Sequence, residues 1–253
     1  MHIDINCDLG ETDPATGPGN DEAIMPFISS VNIACGFHAG DPLTIEKTIR
    51  SAIRHGVSIG AHPGYPDREG FGRRPVKMSH EELRAMILYQ AGAVKAMAEA
   101  AGTRMRHVKP HGALYNTAAT DYELAEVIAR TVKELDPSLI LVGQSGSQMI
   151  RAAREIGLAC ASEVFADRAY NDDGTLVART IEGAVLHDTG LMIRRVIRMI
   201  REKVVMTVTG RIIPIDAETV CIHGDNESAA EFVGRLSEAL KSEGISIRFP
   251  GIE

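Results

Sequence analysis

Apolar and polar residues alternate at the start of the chain. In IDINCDLGE, Ile3, Ile5 and Cys7 alternate with Asp4, Asn6 and Asp8, the period of a β-strand. Asp8 and Glu11 stand at its carboxyl end. A Gly- and Pro-rich loop follows over 11–26, then a short helix near Ala23 to Ser29 and a second strand from Val31 to Cys35. Asp41 and Pro42 suit an N-cap and first helical position. The helix carries Ile45, Ile49, Ala52 and Ile53 on one face and stops at Gly56. A third strand spans Val57 to Ala61, and another Gly/Pro-rich loop runs from His62 to Pro75. Ser79 and Glu82 form a capping box ahead of a helix that uses Leu83, Met86, Ile87, Val94 and Met97. Strands at His107–Lys109, Leu139–Val142, Leu158–Phe165 and Thr219–Ile222 alternate with further helices. One of these helices has a capping box at Thr120 and Glu123. A hairpin is predicted over 203–215, turning near Thr209-Gly210, and a last helix over Glu227 to Ser242.

Seven strands alternating with helices imply parallel strands with crossover connections. The predicted architecture is α/β, a single domain over 1–253 forming a closed or distorted (β/α) barrel of seven or eight strands. An open doubly wound sheet is the second choice, because no G-x-G-x-x-G follows the first strand.

The chain has 253 residues and a net charge of −7, which weighs against nucleic-acid binding. No apolar stretch approaches the ~20 residues that span a bilayer, and no signal peptide is evident. Cys7, Cys35, Cys160 and Cys221 form no C-x-x-C pair; they read as reduced thiols, which suits the cytoplasm.

The candidate chemistry clusters at strand ends, where the ligands of α/β proteins gather. His38 in CGFHAGD, His62 in GAHPG, His111 in KPHGA and His223 in CIHGDN each follow an apolar run. Asp8 with His62 and His111 suits a divalent metal site with open positions. The same groups, with His38, equally suit acid–base chemistry without metal. Small residues Gly36, Ala39 and Gly40 leave room beside His38 for a ligand. Lys109 is placed to neutralise a carboxylate or phosphate. Asp41 is a further candidate, with helix capping as its alternative role. Asp67, Arg68, Arg73 and Arg74 lie in a loop able to fold over the mouth. Glu163, Asp167 and Arg168 follow the sixth strand, where an arginine can meet a substrate carboxylate. His223 and Asp225 end the last strand. His2, His55, His80, His107 and His187 read as structural or exposed. There is no Walker A motif and no G-x-S-x-G elbow. Gly143, Ser145, Gly146 and Ser147 offer a weak anion-binding signal at a helix start.

The segments DINCDLGE, VNIACGFHAGDP, GAHPGYPDREGFGRR, VKPHGALYN and CIHGDN resemble those of the 5-oxoprolinase A-subunit family, also called the LamB/YcsF family. The resemblance runs in order from Ile3 to the C-terminal helix. It implies a barrel akin to that of polysaccharide deacetylases. It also implies ATP-dependent opening of 5-oxoproline to L-glutamate, with two further subunits, B and C. In such a reaction Asp8 and Glu11 would hold a metal (Mg or Zn) or orient water. His38, His62 and His111 would shuttle protons or ligate that metal, and Lys109 would meet phosphate. Glu11, Asp41, Arg68, Arg73, Glu163 and Arg168 would contact substrate or phosphate. Two rival readings stay open: a metal-dependent deacetylase of N-acyl sugars, and a non-catalytic subunit that presents substrate to its partners.

Overall fold

A computed structural model describes residues 1–13, 17–18, 21–223 and 229–251. Seven strands form the barrel: β1 (His2–Leu9), β2 (Ser30–Ala34), β3 (Ser58–His62), β4 (Met105–Val108), β5 (Ile140–Gln144), β6 (Cys160–Phe165) and β7 (Thr219–His223). They pair in chain order and all in parallel, and β7 pairs with β1 to close the ring. The closed form is the first of the two predicted architectures. A two-residue strand, Ser246–Ile247, adds to the N-terminal end of β1 outside the ring.

The alternation in β1 divides inside from outside. Ile3, Ile5 and Cys7 belong to the main apolar core. Asp4, Asn6 and Asp8 point the other way, where their side chains meet groups from β2, β4, β6 and β7. The polar face of this strand therefore lines the barrel interior, not solvent.

A short helix, Asp21–Ile24, runs into a 3-10 turn, Met25–Phe27; the longer helices are α1 (Pro42–His55), α2 (His80–Ala100), α3 (Gly112–Thr120), α4 (Tyr122–Leu135), α5 (Gln148–Glu155), α6 (Thr189–Glu202) and α7 (Ala229–Ser242). The Ser79–Glu82 capping box is formed in both directions. Asp188 caps α6 through the Leu191 amide. The second predicted capping box is corrected. Thr120 ends α3, a helix absent from the sequence prediction, and Asp121 caps α4 through the Leu124 amide. β6 starts at Cys160, not Leu158, because the Leu158 amide still closes the end of α5. The predicted hairpin is present, with Val204–Met206 antiparallel to Ile212–Pro214.

The register aligns Asp8, Asn32, Gly60 and His107 on neighbouring strands. Gly60 lies between Asn32 and His107. A β-carbon there would overlap the His107 ring. Its absence lets His107 Nε2 reach Asn32 Oδ1 at 2.7 Å across the strand between them.

Candidate active site

The carboxyl ends of β1 to β4 bring one acid and three histidines together. Glu11 follows β1, His38 follows β2, His62 ends β3 and His111 precedes α3. One ligand atom from each lies within 4.8 Å of the other three. Glu11 Oε1 is 2.9 Å from His38 Nε2, 3.4 Å from His111 Nδ1 and 3.8 Å from His62 Nε2. Tetrahedral ligands of a zinc-sized ion sit roughly 3.3 Å apart. The group therefore fits such an ion with little rearrangement.

The opposite nitrogens define the tautomers. His62 Nδ1 lies 2.7 Å from the Lys109 carbonyl, and His111 Nε2 lies 2.8 Å from the Phe71 carbonyl. Each must donate there, which leaves His62 Nε2 and His111 Nδ1 as lone pairs in the neutral rings. Those two atoms are 2.9 Å apart. Lone pairs at that distance require a proton or a cation between them. Carbonyl-anchored imidazoles with a free inward nitrogen are also the usual arrangement of metal-ligating histidines.

Backbone shape makes this packing available. His38 and His111 stack with centroids 3.7 Å apart. Gly64 and Gly72 lie against the stacked pair, and a β-carbon on either would come within 2.8 Å of a ring or of His38 Cβ. Phe71 takes a left-handed φ of 53°, uncommon for a bulky residue, and so directs its carbonyl at His111. Gln90, buried in α2, brackets Gly64 by accepting from its amide and donating to its carbonyl.

Charge separates the histidines. Burial, followed by the neighbouring rings, pushes His38 and His111 well below the usual histidine range. Burial also opposes charge on His62, but Asp8 and Glu11 outweigh it and its pKa is raised. Asp8 is anchored through Oδ1 by Asn32 at 2.7 Å and Lys109 at 3.0 Å. Its Oδ2 lies 3.3 Å from His62 Nε2. Asp8 is therefore beside the metal-fitting group, and Glu11 and His38 complete that group in place of the predicted Asp8, His62 and His111 set.

Beneath the mouth the interior is polar. Lys109 Nζ meets Glu163 Oε1 at 2.8 Å, Asn6 Oδ1 at 3.1 Å and Cys221 Sγ at 3.1 Å, besides Asp8. Burial disfavours its charge, yet Asp8, Cys221 and Glu163 hold the ammonium well above the usual lysine range. Lys109 thus neutralises carboxylates of its own chain and is not held out for phosphate. Glu163 is 0% exposed and accepts from Asn6 and Tyr115, so it is an internal counter-charge, out of reach of a substrate. Asn6 also donates to Thr219, which donates to Asp4. Asp4 accepts from Ser29 and Ser30 as well.

Other predicted residues are placed as follows. Asp41 caps α1 through the Leu43 and Thr44 amides. Arg68 donates to the Gly36 and Gly40 carbonyls and so ties down the loop that carries His38. Arg73 lies over the Phe71 ring, and Asp67 pairs with Arg74. The Ser145 and Ser147 amides are spent on the Glu163 and Gln144 carbonyls, so they offer no anion site. Gly36 is open, but the crowding at the histidines comes from Gly64 and Gly72. The His223 side chain and Asp225 lie outside the described residues. Asn6, Asn32, Tyr115, Gln90 and Cys221 are parts of the site that sequence reasoning does not reach. The inward face of β1, at positions 4, 6 and 8, is the signal that could have found Asn6.

The sequence matches the model of the LamB/YcsF family over residues 3–251. It is 53% identical over 248 residues to a protein of Geobacillus kaustophilus named as the A subunit of 5-oxoprolinase, covering 98% of this chain and 96% of that one. A protein of the same name from Clostridium beijerinckii is 52% identical over 245 residues, at 97% and 96% coverage. Among solved structures, the "Lactam Utilization Protein" of Thermus thermophilus superposes with a TM-score of 0.91. It is 43% identical and covers 98% of this chain and 99% of that one. A family 4 carbohydrate esterase from Streptomyces lividans shares the fold, with a TM-score of 0.51 at 10% identity, covering 97% of this chain and 91% of that one.

Proposed function

The chain belongs to the LamB/YcsF family, and from that premise we propose that it is the ring-opening subunit of an ATP-dependent 5-oxoprolinase. The relatives' shared name supplies the substrate, 5-oxoproline, and the word subunit points to partners. Subunits B and C are assigned as those partners. Net chemistry adds water across the lactam C–N bond and yields L-glutamate. A lactam carbonyl is a poor electrophile, so phosphoryl transfer from ATP to its oxygen activates the carbon; water attack with C–N cleavage then leaves an acyl phosphate, and a second water releases phosphate and L-glutamate. Coupling is assigned to the complex, since the chain has no Walker A motif.

The observation that carries the reading is the Glu11, His38, His62 and His111 group at the barrel mouth. Three imidazoles and one carboxylate suit a first-row ion of the zinc class better than magnesium, which prefers oxygen ligands. Bound there, such an ion supplies Lewis acidity at the reacting carbonyl. Asp8 does the proton work. Its Oδ1 is fixed by Lys109 and Asn32, while Oδ2 faces the mouth side of His62. It takes a proton from the attacking water and returns it to the ring nitrogen as the C–N bond breaks. Lys109 holds Asp8 in place through its contact with Oδ1.

All four cysteines are free and no helix among the described residues is long and apolar enough to cross a membrane; we place the reaction in the cytoplasm. The experiment is glutamate release from 5-oxoproline, with and without ATP, by the chain alone and with subunits B and C. Release only in the complete ATP-containing mixture, lost in Asp8→Asn and His111→Ala, is the expected result. Undiminished release with either variant removes that residue from the mechanism.

A further inference from the structure

Arg168 lies three residues beyond β6 and is 6% exposed. Its Nη2 donates to the Val177 carbonyl at 2.6 Å. Its Nε is buried without a partner. Burial and then the Arg179 guanidinium work against its charge, and the neighbouring Asp167 does not offset them. A buried guanidinium is ordinarily paired with a carboxylate or phosphate, because an unpaired buried charge is strongly unfavourable. The fold nevertheless holds this one in place. Arg168 bridges to Val185, the Ala169 amide bonds to Ala184, and the Val177 amide bonds to Ala169. Ala169, Val177 and Ala184 pack as a small apolar cluster in the same loop. Arg168 thus follows the carboxyl end of β6, whereas the histidines come from the ends of β2 to β4.

We propose that Arg168 forms an oxyanion-binding site that takes the α-carboxylate of the lactam substrate. The inference rests on the 5-oxoproline reading for the identity of that carboxylate, but not for the existence of the anion site. The substrate anion brings a full counter-charge to the buried guanidinium. Arg168 is then a specificity residue: it holds the carboxylated side of the ring while the lactam bond faces the Asp8 side.

The test is calorimetric titration of the full chain with three probes: 5-oxoproline, its neutral carboxamide, and inorganic phosphate. Each is repeated on Arg168→Met and Arg168→Lys. The acid should bind the natural chain about 10- to 100-fold more tightly than the amide, the range for a charged hydrogen bond. In Arg168→Met the acid should fall to the affinity of the amide, and Arg168→Lys should recover part of the difference. The acid should raise the melting temperature of the natural chain and leave that of Arg168→Met unchanged, a response that loss of the Val177 bond alone does not produce. An acid-over-amide preference that survives in Arg168→Met overturns the proposal. Arg168-dependent binding of phosphate without any such preference overturns the carboxylate assignment and makes the site a phosphoryl pocket. Arg168-dependent phosphate binding with neither lactam bound sinks the 5-oxoproline reading while the anion site stands. No Arg168-dependent binding of any probe overturns the anion site itself.

Discussion

His62 Nε2 and His111 Nδ1 face each other at 2.9 Å, and each ring gives its other nitrogen to a backbone carbonyl. A proton and a divalent ion are alternative solutions to that contact. The raised pKa of His62 identifies the ring that carries the proton when no ion is bound. Loading the chain with Zn(II) or Co(II) should therefore release protons, and apparent affinity should fall as pH drops below the His62 pKa. Potentiometric titration during loading checks this. His62→Ala and His111→Ala should each lower metal affinity by about 100-fold or more, at or beyond the upper end seen for outer-sphere partners. Metal content that is unchanged in both variants would remove the metal site.

Lys109 sits between Asp8 and Glu163, two carboxylates of the barrel interior. Lys109→Met removes the ammonium from between both and should cost about 3–5 kcal/mol, as removal of one partner from a buried pair does. The double variant Lys109→Met/Glu163→Leu should be less destabilised than the sum of its two single variants. Urea denaturation of the four proteins measures the coupling. Additive losses would show that the pair is not energetically linked.

Gly60 gives His107 its room. Gly60→Ala should overpack the interior and cost about 1–3 kcal/mol, with loss of the His107–Asn32 bond. His107 is held neutral, down to about 3, first by burial and then by Lys109. The unfolded chain takes up a proton at this residue near its ordinary value of 6.5, and the folded chain does not. Its contribution to stability is thus present above that value and is lost as pH falls toward 3. His107→Gln should flatten this part of the acid limb of a stability–pH curve. A curve superimposable on that of the natural chain would show that His107 is not the group responsible.

Asp4 has the opposite sign. Burial outweighs its bonds from Ser29, Thr219 and Ser30 and lifts its pKa from 3.8 to about 6. Its folded form holds the proton more tightly than the unfolded chain does. The associated stability is present below pH 3.8 and is lost as pH rises through about 6. Asp4→Asn removes an ionisable group that the fold disfavours above that pH. The variant should lose less stability than the natural chain between about pH 4 and 7, as followed by thermal melts. A parallel loss would place the titration elsewhere.

Strand order is legible in the chain because each β/α unit carries its own punctuation. Asp41-Pro42, Gly56 and Ser79–Glu82 mark helix boundaries by local chemistry, and all three stand where the sequence places them. The histidines are legible because each follows directly on an apolar run. The partners of those residues are not, since they depend on barrel closure and register. Asp8 is legible because it nearly ends β1, and its Oδ2 lies 3.3 Å from His62 Nε2; Glu11, two residues beyond the strand, joins the three histidines. Lys109 is legible as a group that neutralises a carboxylate, but which carboxylates it meets is not; it lies one residue beyond β4 and points inward beside Glu163. Helix α3 escapes prediction because no side-chain cap marks its start after His111, yet the Ala-containing run Gly112–Thr120 is helical.

Pairing of β1 with β7 has a consequence for biogenesis. A ribosome delivers Asp4, Asn6 and Asp8 first and Thr219 and Cys221 more than two hundred residues later. Until the last strand emerges, the nascent ring is an open sheet with two bare edges and a polar lining missing its final contributors. Completion of the barrel lining thus waits on the last strand. A product arrested before Thr219 would carry every residue of the histidine group and still lack the enclosure that holds Lys109 dry.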